Sequence, residues 1–156
     1  MLRFKNLLCA LALGAMAVTA EAGVLSTRYF MVDIPAQWEI ARGPEDNGTN
    51  FMTQFTARDR TSVTVAISAG KMPAADVAEQ TMDNLRAQSG ARFEPLKEEY
   101  GVLSARYEIH GGAGVYFFGA DGEQVAVINI LGSDPEEGIK FLRRFVPRTE
   151  KLFPKF

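Results

Sequence analysis

Cysteine and histidine are almost absent from this sequence of 156 residues, which contains one of each, Cys9 and His110. A disulfide needs two cysteines, and a zinc site needs several nitrogen or sulfur ligands, so neither is expected. The pattern Gly-x-Ser-x-Gly, which presents the nucleophile of many esterases, is also missing. These absences exclude disulfide-stabilised folds and zinc enzymes.

Long hydrophobic runs are missing as well. The apolar run near the N-terminus, residues 7–18, is shorter than the roughly 20 residues that a membrane-spanning helix needs. Two basic residues precede it, and small residues follow it. This pattern predicts a signal peptide over residues 1–22, cleaved after Ala22 or alternatively after Ala20. The mature chain is therefore expected to be periplasmic or secreted and to have no transmembrane helix.

Cys9 lies inside this leader, and the residue before it, Leu8, is not the small residue that precedes a lipidated cysteine. We therefore expect no lipid anchor and a mature chain without a thiol nucleophile. Without Arg3, Lys5 and Glu21, the 17 basic and 19 acidic residues become 15 and 18. This negative balance lacks the electric field that attracts nucleic acid, so no nucleic-acid partner is expected.

Alternation of apolar and polar residues with period two predicts that most of the chain forms β-strands. The predicted strands are residues 29–34, 38–41, 51–58, 61–69, 93–100, 102–110, 114–120 and 124–131. Residues 43–50 are rich in turn formers and are predicted to be an exposed loop. Asp121-Gly122 predicts a two-residue hairpin of type I′ between the last two strands.

Two stretches have the helical period instead. Residues 73–89 form an apolar stripe and are followed by Gly90, a typical helix cap. A second helix is predicted to begin within residues 133–137 and to reach Pro147. Its start has capping-box spacing in two ways, Ser133 with Glu136 or Asp134 with Glu137.

Many neighbouring strands with only two helices favour the α+β class. We expect one domain over residues 23–156, in which a central antiparallel sheet of about six to eight strands has two main helices packed on it, an α/β/α sandwich. The tail residues Leu152, Phe153 and Phe156 are expected to pack back on the body.

His110 is the residue that most resembles a catalytic group, because it precedes Gly111, Gly112 and Gly114 in a pattern similar to the oxyanion loop of esterases. No nucleophile elbow accompanies it. Strand alternation places His110 with Ser104, Arg106 and Glu108 on a polar face. We therefore interpret the glycines as a turn between two strands, and keep a hydrolase or small-ligand carrier at His110 as the alternative.

Cofactor and metal motifs are not found. Residues 46–50 resemble a calcium loop, but Gly48 occupies a ligand position and the closing glutamate is missing. The glycines after His110 open a strand, so they do not form a nucleotide-binding turn. A carrier would need a closed apolar pocket, for which Tyr116 and Phe118 on one sheet face and Val115 and Phe117 on the other could supply the walls.

Basic residues are concentrated near the C-terminus. The predicted terminal helix and the tail carry the candidate partner surface Lys140, Arg143, Arg144, Arg148 and Lys151. Such a surface favours an acidic partner or anionic lipid. The alternative interpretation is a solvated helix face that interacts with the C-terminal end of the helix dipole.

Three stretches together, YFMVDIPAQWEI, PAADVAEQTMDNL and VYFFGADGEQVAVINILGSDPEEGIKFL, resemble the PsbP-like superfamily, which includes DcrB-like bacterial envelope proteins. Its members often begin with a strand that ends in Ile-Pro near a tryptophan, as Ile34, Pro35 and Trp38 do. The resemblance implies an α/β/α sandwich and a mostly non-catalytic binding role. It transfers no functional residue, because members of this superfamily bind unlike partners.

The combined expectation is an exported, soluble accessory protein of the bacterial cell envelope. We expect it to lack enzyme activity and cofactors and to act by binding an envelope protein or a small ligand.

Overall fold

The structure, a computed structural model, describes residues 23–156. The predicted leader, residues 1–22, and the two cleavage sites predicted for it lie outside this range. No helix within residues 23–156 is long and apolar enough to cross a membrane.

The described chain forms eleven strands, two α-helices and one 3₁₀ helix. In chain order they are β1 (Val24–Ser26), β2 (Phe30–Asp33), β3 (Trp38–Asp46), β4 (Asn50–Ala57), β5 (Ser62–Ala69), α1 (Ala74–Ser89), β6 (Arg92–Phe93), β7 (Lys97–Glu99), β8 (Val102–Ile109), β9 (Gly112–Ala120), β10 (Gln124–Gly132), α2 (Pro135–Leu142), β11 (Val146–Pro147) and the 3₁₀ helix Glu150–Leu152.

Eight strands form one antiparallel sheet in the order β3-β4-β5-β10-β9-β8-β6, and β7 also pairs with β8. A smaller antiparallel sheet has the order β1-β2-β11. The predicted α+β class with a large antiparallel sheet is therefore confirmed. The smaller sheet was not predicted as a separate sheet.

Both faces of the large sheet are covered, as the alternation along β9 illustrates. Val115 and Phe117 join a cluster with β2, α2 and the C-terminal residues, whereas Tyr116 and Phe118 join a second cluster with α1. Because successive side chains of a strand point to opposite faces, the two clusters lie on opposite sides of the sheet. The short helix α2 shares its side with the three-stranded sheet, so helices alone do not form that layer.

Helix α1 follows the predicted period and ends where predicted. Ala78 and Met82 are buried on its apolar stripe. Gly90 adopts φ +66°, and its N–H donates to the carbonyl oxygen of Arg86. Glycine suits this cap because it has no Cβ to oppose a left-handed conformation.

The prediction of an exposed loop over residues 43–50 is wrong for its first half, since β3 continues to Asp46. The strand keeps pairing with β4 through register shifts on either side of Arg42. Gly43 adopts φ +78° there, and the Thr53 hydroxyl donates to the carbonyl oxygen of Arg42 at 3.1 Å. The turn formers thus produce a bulged edge strand.

The single strand predicted over residues 93–100 is also wrong. Two short strands, β6 and β7, pair with β8 at different places. Pro95 lies between them and has no N–H to donate to a ladder. The neighbouring Glu94 N–H still donates to the carbonyl oxygen of Arg106 at 2.9 Å, so the segment stays attached to the sheet.

The terminal helix is shorter than predicted, because α2 ends at Leu142. The N–H of Phe145 donates to the carbonyl oxygen of Leu142, which tightens the chain into a turn. Val146 then pairs with Met31 of β2 and is 56% exposed, instead of joining the apolar side of a helix. Pairing with the smaller sheet therefore overrides the helical pattern here.

The connection between β9 and β10 is not the predicted two-residue type I′ turn. Three residues connect the strands, and among them only Gly122 has positive φ. Oδ1 of Asp121 accepts hydrogen bonds from the N–H groups of Glu123 and Gln124 at 2.9 and 2.7 Å. The Asp121 side chain therefore closes this turn.

Candidate functional site

His110 lies in the two-residue turn between β8 and β9, and its side chain is exposed. Gly111 adopts φ +83° beside it, which confirms a glycine turn at this place. Gly114 belongs to β9, as the predicted strand 114–120 has it, and β9 begins two residues earlier, at Gly112, so neither glycine belongs to the turn. Ser104, which the alternation places on the same polar face as His110, is fully buried, and its hydroxyl donates to Glu99 Oε2 at 2.9 Å.

Two open clefts meet at His110. One, of about 450 Å³, is also lined by Arg92 and Glu108. The other, of about 350 Å³, is lined by Asp59, Ser62 and Ser133 among others. The second cleft thus holds a histidine, two serine hydroxyls and a carboxylate, the residue types of a catalytic triad.

These groups are not connected into a triad. Within residues 23–156, no hydrogen bond or ion pair reaches His110. The Ser62 hydroxyl instead donates to the carbonyl oxygen of Leu131 at 3.4 Å, and Oδ1 of Asp59 accepts from the N–H of Thr61. A nucleophile and base need mutual hydrogen-bond reach, and this arrangement does not supply it.

The segment that resembles a calcium loop uses its oxygens internally. Oδ1 of Asp46 accepts from the N–H of Gly48, and Oδ1 of Asn47 accepts from the N–H of Asn50. Oδ2 of Asp46 also pairs with Arg28 at 2.9 Å. Among the residues that the structure describes, no group of three or more potential metal-binding side chains comes together.

The five basic residues predicted as a partner surface do not share one helix face, because α2 ends early. Only Lys140 lies within α2, where it pairs with Glu137 at 2.7 Å. This hydrogen bond, together with the negative charge, raises the pKa of Lys140. Arg144 binds the carboxylate and carbonyl group of Asp33, and Arg148 donates to the hydroxyl of Ser26.

Arg143 and Lys151 remain without an ion pair in the described chain. The Arg143 guanidinium lies over the Phe156 ring, 5.1 Å from its centroid. Lys151 belongs to the 3₁₀ helix, which lies directly on β9. Gly119 makes this contact close, since a Cβ there would lie 2.6 Å from the carbonyl oxygen of Leu152.

Arg143 borders a cavity of about 260 Å³ that we call the C-terminal pocket. It lies between the end of α2, β11 and the chain's last residues. Its lining is mainly apolar and consists of Leu142, Arg143, Phe145, Pro147, Glu150, Phe153, Pro154, Lys155 and Phe156. Six of these nine residues are apolar and three are charged.

The charges around the C-terminal pocket favour an anion near Arg143. Lys155 forms only a solvent-exposed pair with Glu150 at 3.5 Å, and no carboxylate in residues 23–156 pairs with Arg143. Phe156 is 42% exposed and also contacts the Tyr100 ring at 4.8 Å. At the pocket, a guanidinium without a carboxylate partner in the described chain therefore lies over a partly exposed aromatic ring.

The sequence predicted the packing of individual tail residues, but it did not predict that they form a pocket. The tail residues Leu152 and Phe153 are buried as predicted, and Phe156 packs only in part. The pocket itself depends on the turn after Leu142 and on the pairing of Val146 with Met31. No local pattern in the sequence signals that long-range pairing.

Two residues predicted as walls of a carrier pocket, Tyr116 and Phe118, pack into the core. Tyr116 and Phe118 stack at 5.5 Å and are buried in the cluster beneath α1. Burial raises the pKa of Tyr116. Their side chains serve as core on this face of the sheet.

Comparisons with known proteins give no assignment: no family model matches the chain, and no curated protein is similar to it.

Proposed function

We propose that this chain is an exported, non-catalytic accessory protein of the bacterial cell envelope that binds a protein partner through the C-terminal pocket. The leader pattern over residues 1–22 supports export. The layers on the two faces of the large antiparallel sheet, one with α1 and one with α2, support an α/β/α sandwich of the PsbP-like kind. The proposed location is the periplasm or the exterior, with a mature chain that begins at Gly23 or Glu21.

The observation that carries the proposal is the combination of apolar walls with Arg143 at the pocket. A pocket of about 260 Å³ is smaller than the roughly 300–1,000 Å³ typical of sites for complete small ligands. It matches a single large side chain better. Protein interfaces often concentrate their affinity in one such anchored side chain, surrounded by contacts that exclude water.

The chemistry of the border defines the partner further. Arg143 presents a planar guanidinium that can bind a carboxylate through two hydrogen bonds. A matching segment would place a large aliphatic or aromatic side chain in the pocket and an aspartate or glutamate next to it in sequence. Such a segment fits the acidic partner expected for the basic C-terminal region, with Arg143 as the residue that binds its carboxylate.

A peptide-display selection against the purified mature chain tests the proposal. We expect enrichment of peptides in which a large apolar residue adjoins Asp or Glu. Arg143→Gln should weaken these peptides about three- to tenfold, because it removes the positive charge and keeps most of the side-chain length. Arg58→Gln is the matched control, because Arg58 is exposed and also lacks an ion pair in the described chain.

Equal binding by the two variants, with both folded by circular dichroism, would contradict the proposed pocket. Enrichment of peptides without an acidic residue would likewise reject the role of Arg143.

A hydrolase remains the second candidate, because His110 shares a cleft with Ser133 and Asp59. A screen of ester and amide substrates with wild-type protein and His110→Ala decides between the two candidates. The binding proposal expects no turnover that depends on His110. Turnover that disappears in His110→Ala would replace it with the hydrolase.

A further inference from the structure

Another cavity, of about 490 Å³, shares only Lys155 with the C-terminal pocket. We call it the α1 groove, because the first residue of α1 borders it. Its apolar lining consists of the partly exposed Ala74 and Leu103 with the buried Val102 and Phe118 behind them, and Lys151 and Lys155 supply its basic groups. Unlike the C-terminal pocket, it falls within the size range of sites for complete small ligands.

The basic side of the α1 groove is available for a ligand. Lys151 has no ion pair within residues 23–156. Lys155 has a partner in Glu150, but both side chains are more than half exposed, at 61% and 79%, so the pair at 3.5 Å is weak. Glu98 is the one carboxylate that borders the groove, which leaves an excess of one positive charge.

The start of α1 adds to this charge. No side chain caps the helix N-terminus at Pro73. The first N–H groups of a helix carry a partial positive charge, which favours an anion nearby. Asp76 lies in the same first turn and offsets this partial charge, so the proposed site depends on the two lysines.

The backbone of the groove argues against a peptide ligand. Leu103 of β8 is paired with Glu98 on one side and with Phe118 on the other. The strand on the apolar side therefore has no free edge where a peptide strand could add its hydrogen bonds. A ligand with a hydrocarbon chain needs no such partners, and it gains stability from apolar contact alone.

We propose that the α1 groove binds a single-chain amphiphile with an anionic head, its hydrocarbon chain against Leu103 and Ala74 and its head at Lys151 and Lys155. Carboxylate and phosphate heads share the required chemistry. The two proposed sites share Lys155, so they are distinguished by Lys151 and Leu103, which line only the α1 groove, and by Arg143, which lines only the C-terminal pocket.

Calorimetric titration of the mature chain with dodecanoate, below the concentration at which it forms micelles, tests this site. We expect saturable binding of one molecule per chain. Lys151→Gln should weaken binding about three- to tenfold, as expected for the loss of one favourable charge pair. Lys71→Gln is the matched control, since Lys71 is an exposed lysine outside the groove.

Two more comparisons examine the apolar and anionic parts separately. Ala120→Leu should weaken dodecanoate binding without changing any charge, because Ala120 borders the groove. Dodecanol should bind more weakly than dodecanoate, and dodecyl phosphate should bind at least as well. Vesicles that contain phosphatidylglycerol should not replace free dodecanoate, since the groove is proposed to hold one chain.

The site is rejected if dodecanoate does not saturate the wild-type chain, if Lys151→Gln and Lys71→Gln bind it equally, or if the chain binds only vesicles. Arg143→Gln should leave dodecanoate binding unchanged. Failure at the α1 groove is therefore distinguishable from failure at the C-terminal pocket.

Discussion

The Tyr107 hydroxyl donates a 2.7 Å hydrogen bond to Oδ1 of Asn129, although β9 separates their two strands. Gly114 of β9 pairs with Tyr107 on one side and with Leu131 on the other. A Cβ at Gly114 would lie 2.6 Å from Cε1 of Tyr107 and 2.5 Å from the carbonyl oxygen of Ile130. The missing side chain therefore lets the tyrosine ring cross the middle strand.

Gly114→Ala should destabilise the fold, because the added methyl group overlaps the Tyr107 ring and a backbone carbonyl. We expect a loss of about 1–3 kcal/mol in the free energy of unfolding, the usual cost of overpacking. Gly112→Ala is the control in the same strand, since its new Cβ would meet Cδ1 of Leu131 at an ordinary 3.5 Å. Urea unfolding compares the two, and equal midpoints would contradict the crossing.

The buried tyrosines predict a loss of stability at high pH. Burial and the neighbouring Tyr116 raise the pKa of Tyr107 above its ordinary value of 10.0. Below about pH 10 both folded and unfolded tyrosine are neutral, so the contribution is fully present. It is lost as the pH rises above about 10, because only the unfolded chain then loses the proton readily.

Tyr107→Phe checks this sign. The variant should be less stable than wild type at neutral pH, because Asn129 loses its hydrogen-bond donor, by about 0.5–1.5 kcal/mol. Its stability should then fall less steeply between about pH 9 and pH 11. Parallel slopes for the two proteins in urea unfolding across that range would show that Tyr107 is not the group responsible.

Local patterns predicted the elements that depend on neighbours in sequence. The period of α1 and its Gly90 cap, and the alternation of Val63, Val65 and Ile67 along β5, were predicted because each follows from side chains a few residues apart. Residues 93–100 and 143–147 were predicted wrongly. The conformation of residues 143–147 depends on pairing with β2, which lies near the other end of the described chain. The break within residues 93–100 has a local cause, Pro95, and the alternation alone did not reveal it.

For the candidate site, too, the sequence predicted which residues are involved but not how tertiary contacts arrange them. The basic residues near the C-terminus were identified from sequence, and the structure separates them by their partners: Lys140 contacts Glu137, and Arg144 contacts Asp33. Arg143 differs because the tail places Phe156 beneath it. That choice among five similar residues needed the tertiary contacts.

The start of α2 offers a test of two caps that the sequence could not separate. In the structure Asp134 is the N-cap, and its Oδ1 accepts from the N–H of Glu136 at 3.0 Å. Asp134→Ala should lower the free energy of unfolding by about 1 kcal/mol. Ser133→Ala should change it by less than about 0.5 kcal/mol, as at most exposed positions. The reverse order in thermal unfolding would make Ser133 the cap.

Gly119 connects the position of the tail to both proposed sites. Gly119→Ala should displace the 3₁₀ helix, because its Cβ would lie 2.6–2.8 Å from the backbone of Leu152. We expect faster proteolysis after Lys151 or Lys155 and weaker binding at both the C-terminal pocket and the α1 groove. Gly70→Ala is the control, with its nearest contact at 3.8 Å. An unchanged rate of tail cleavage in Gly119→Ala would disprove this link.

Two buried threonines should respond in opposite directions to the same substitution. Thr53 and Thr61 are both fully buried. The Thr53 hydroxyl donates to the carbonyl oxygen of Arg42, whereas the Thr61 hydroxyl has no hydrogen-bond partner in the described chain. Thr53→Val should therefore lower the free energy of unfolding by about 1–2 kcal/mol, because it leaves that carbonyl without the donor. Thr61→Val should raise it by about 1 kcal/mol, since it removes a buried polar group that gains nothing in the fold. Urea unfolding of the two variants measures the difference, and a loss of stability in Thr61→Val would show that its hydroxyl is satisfied by water.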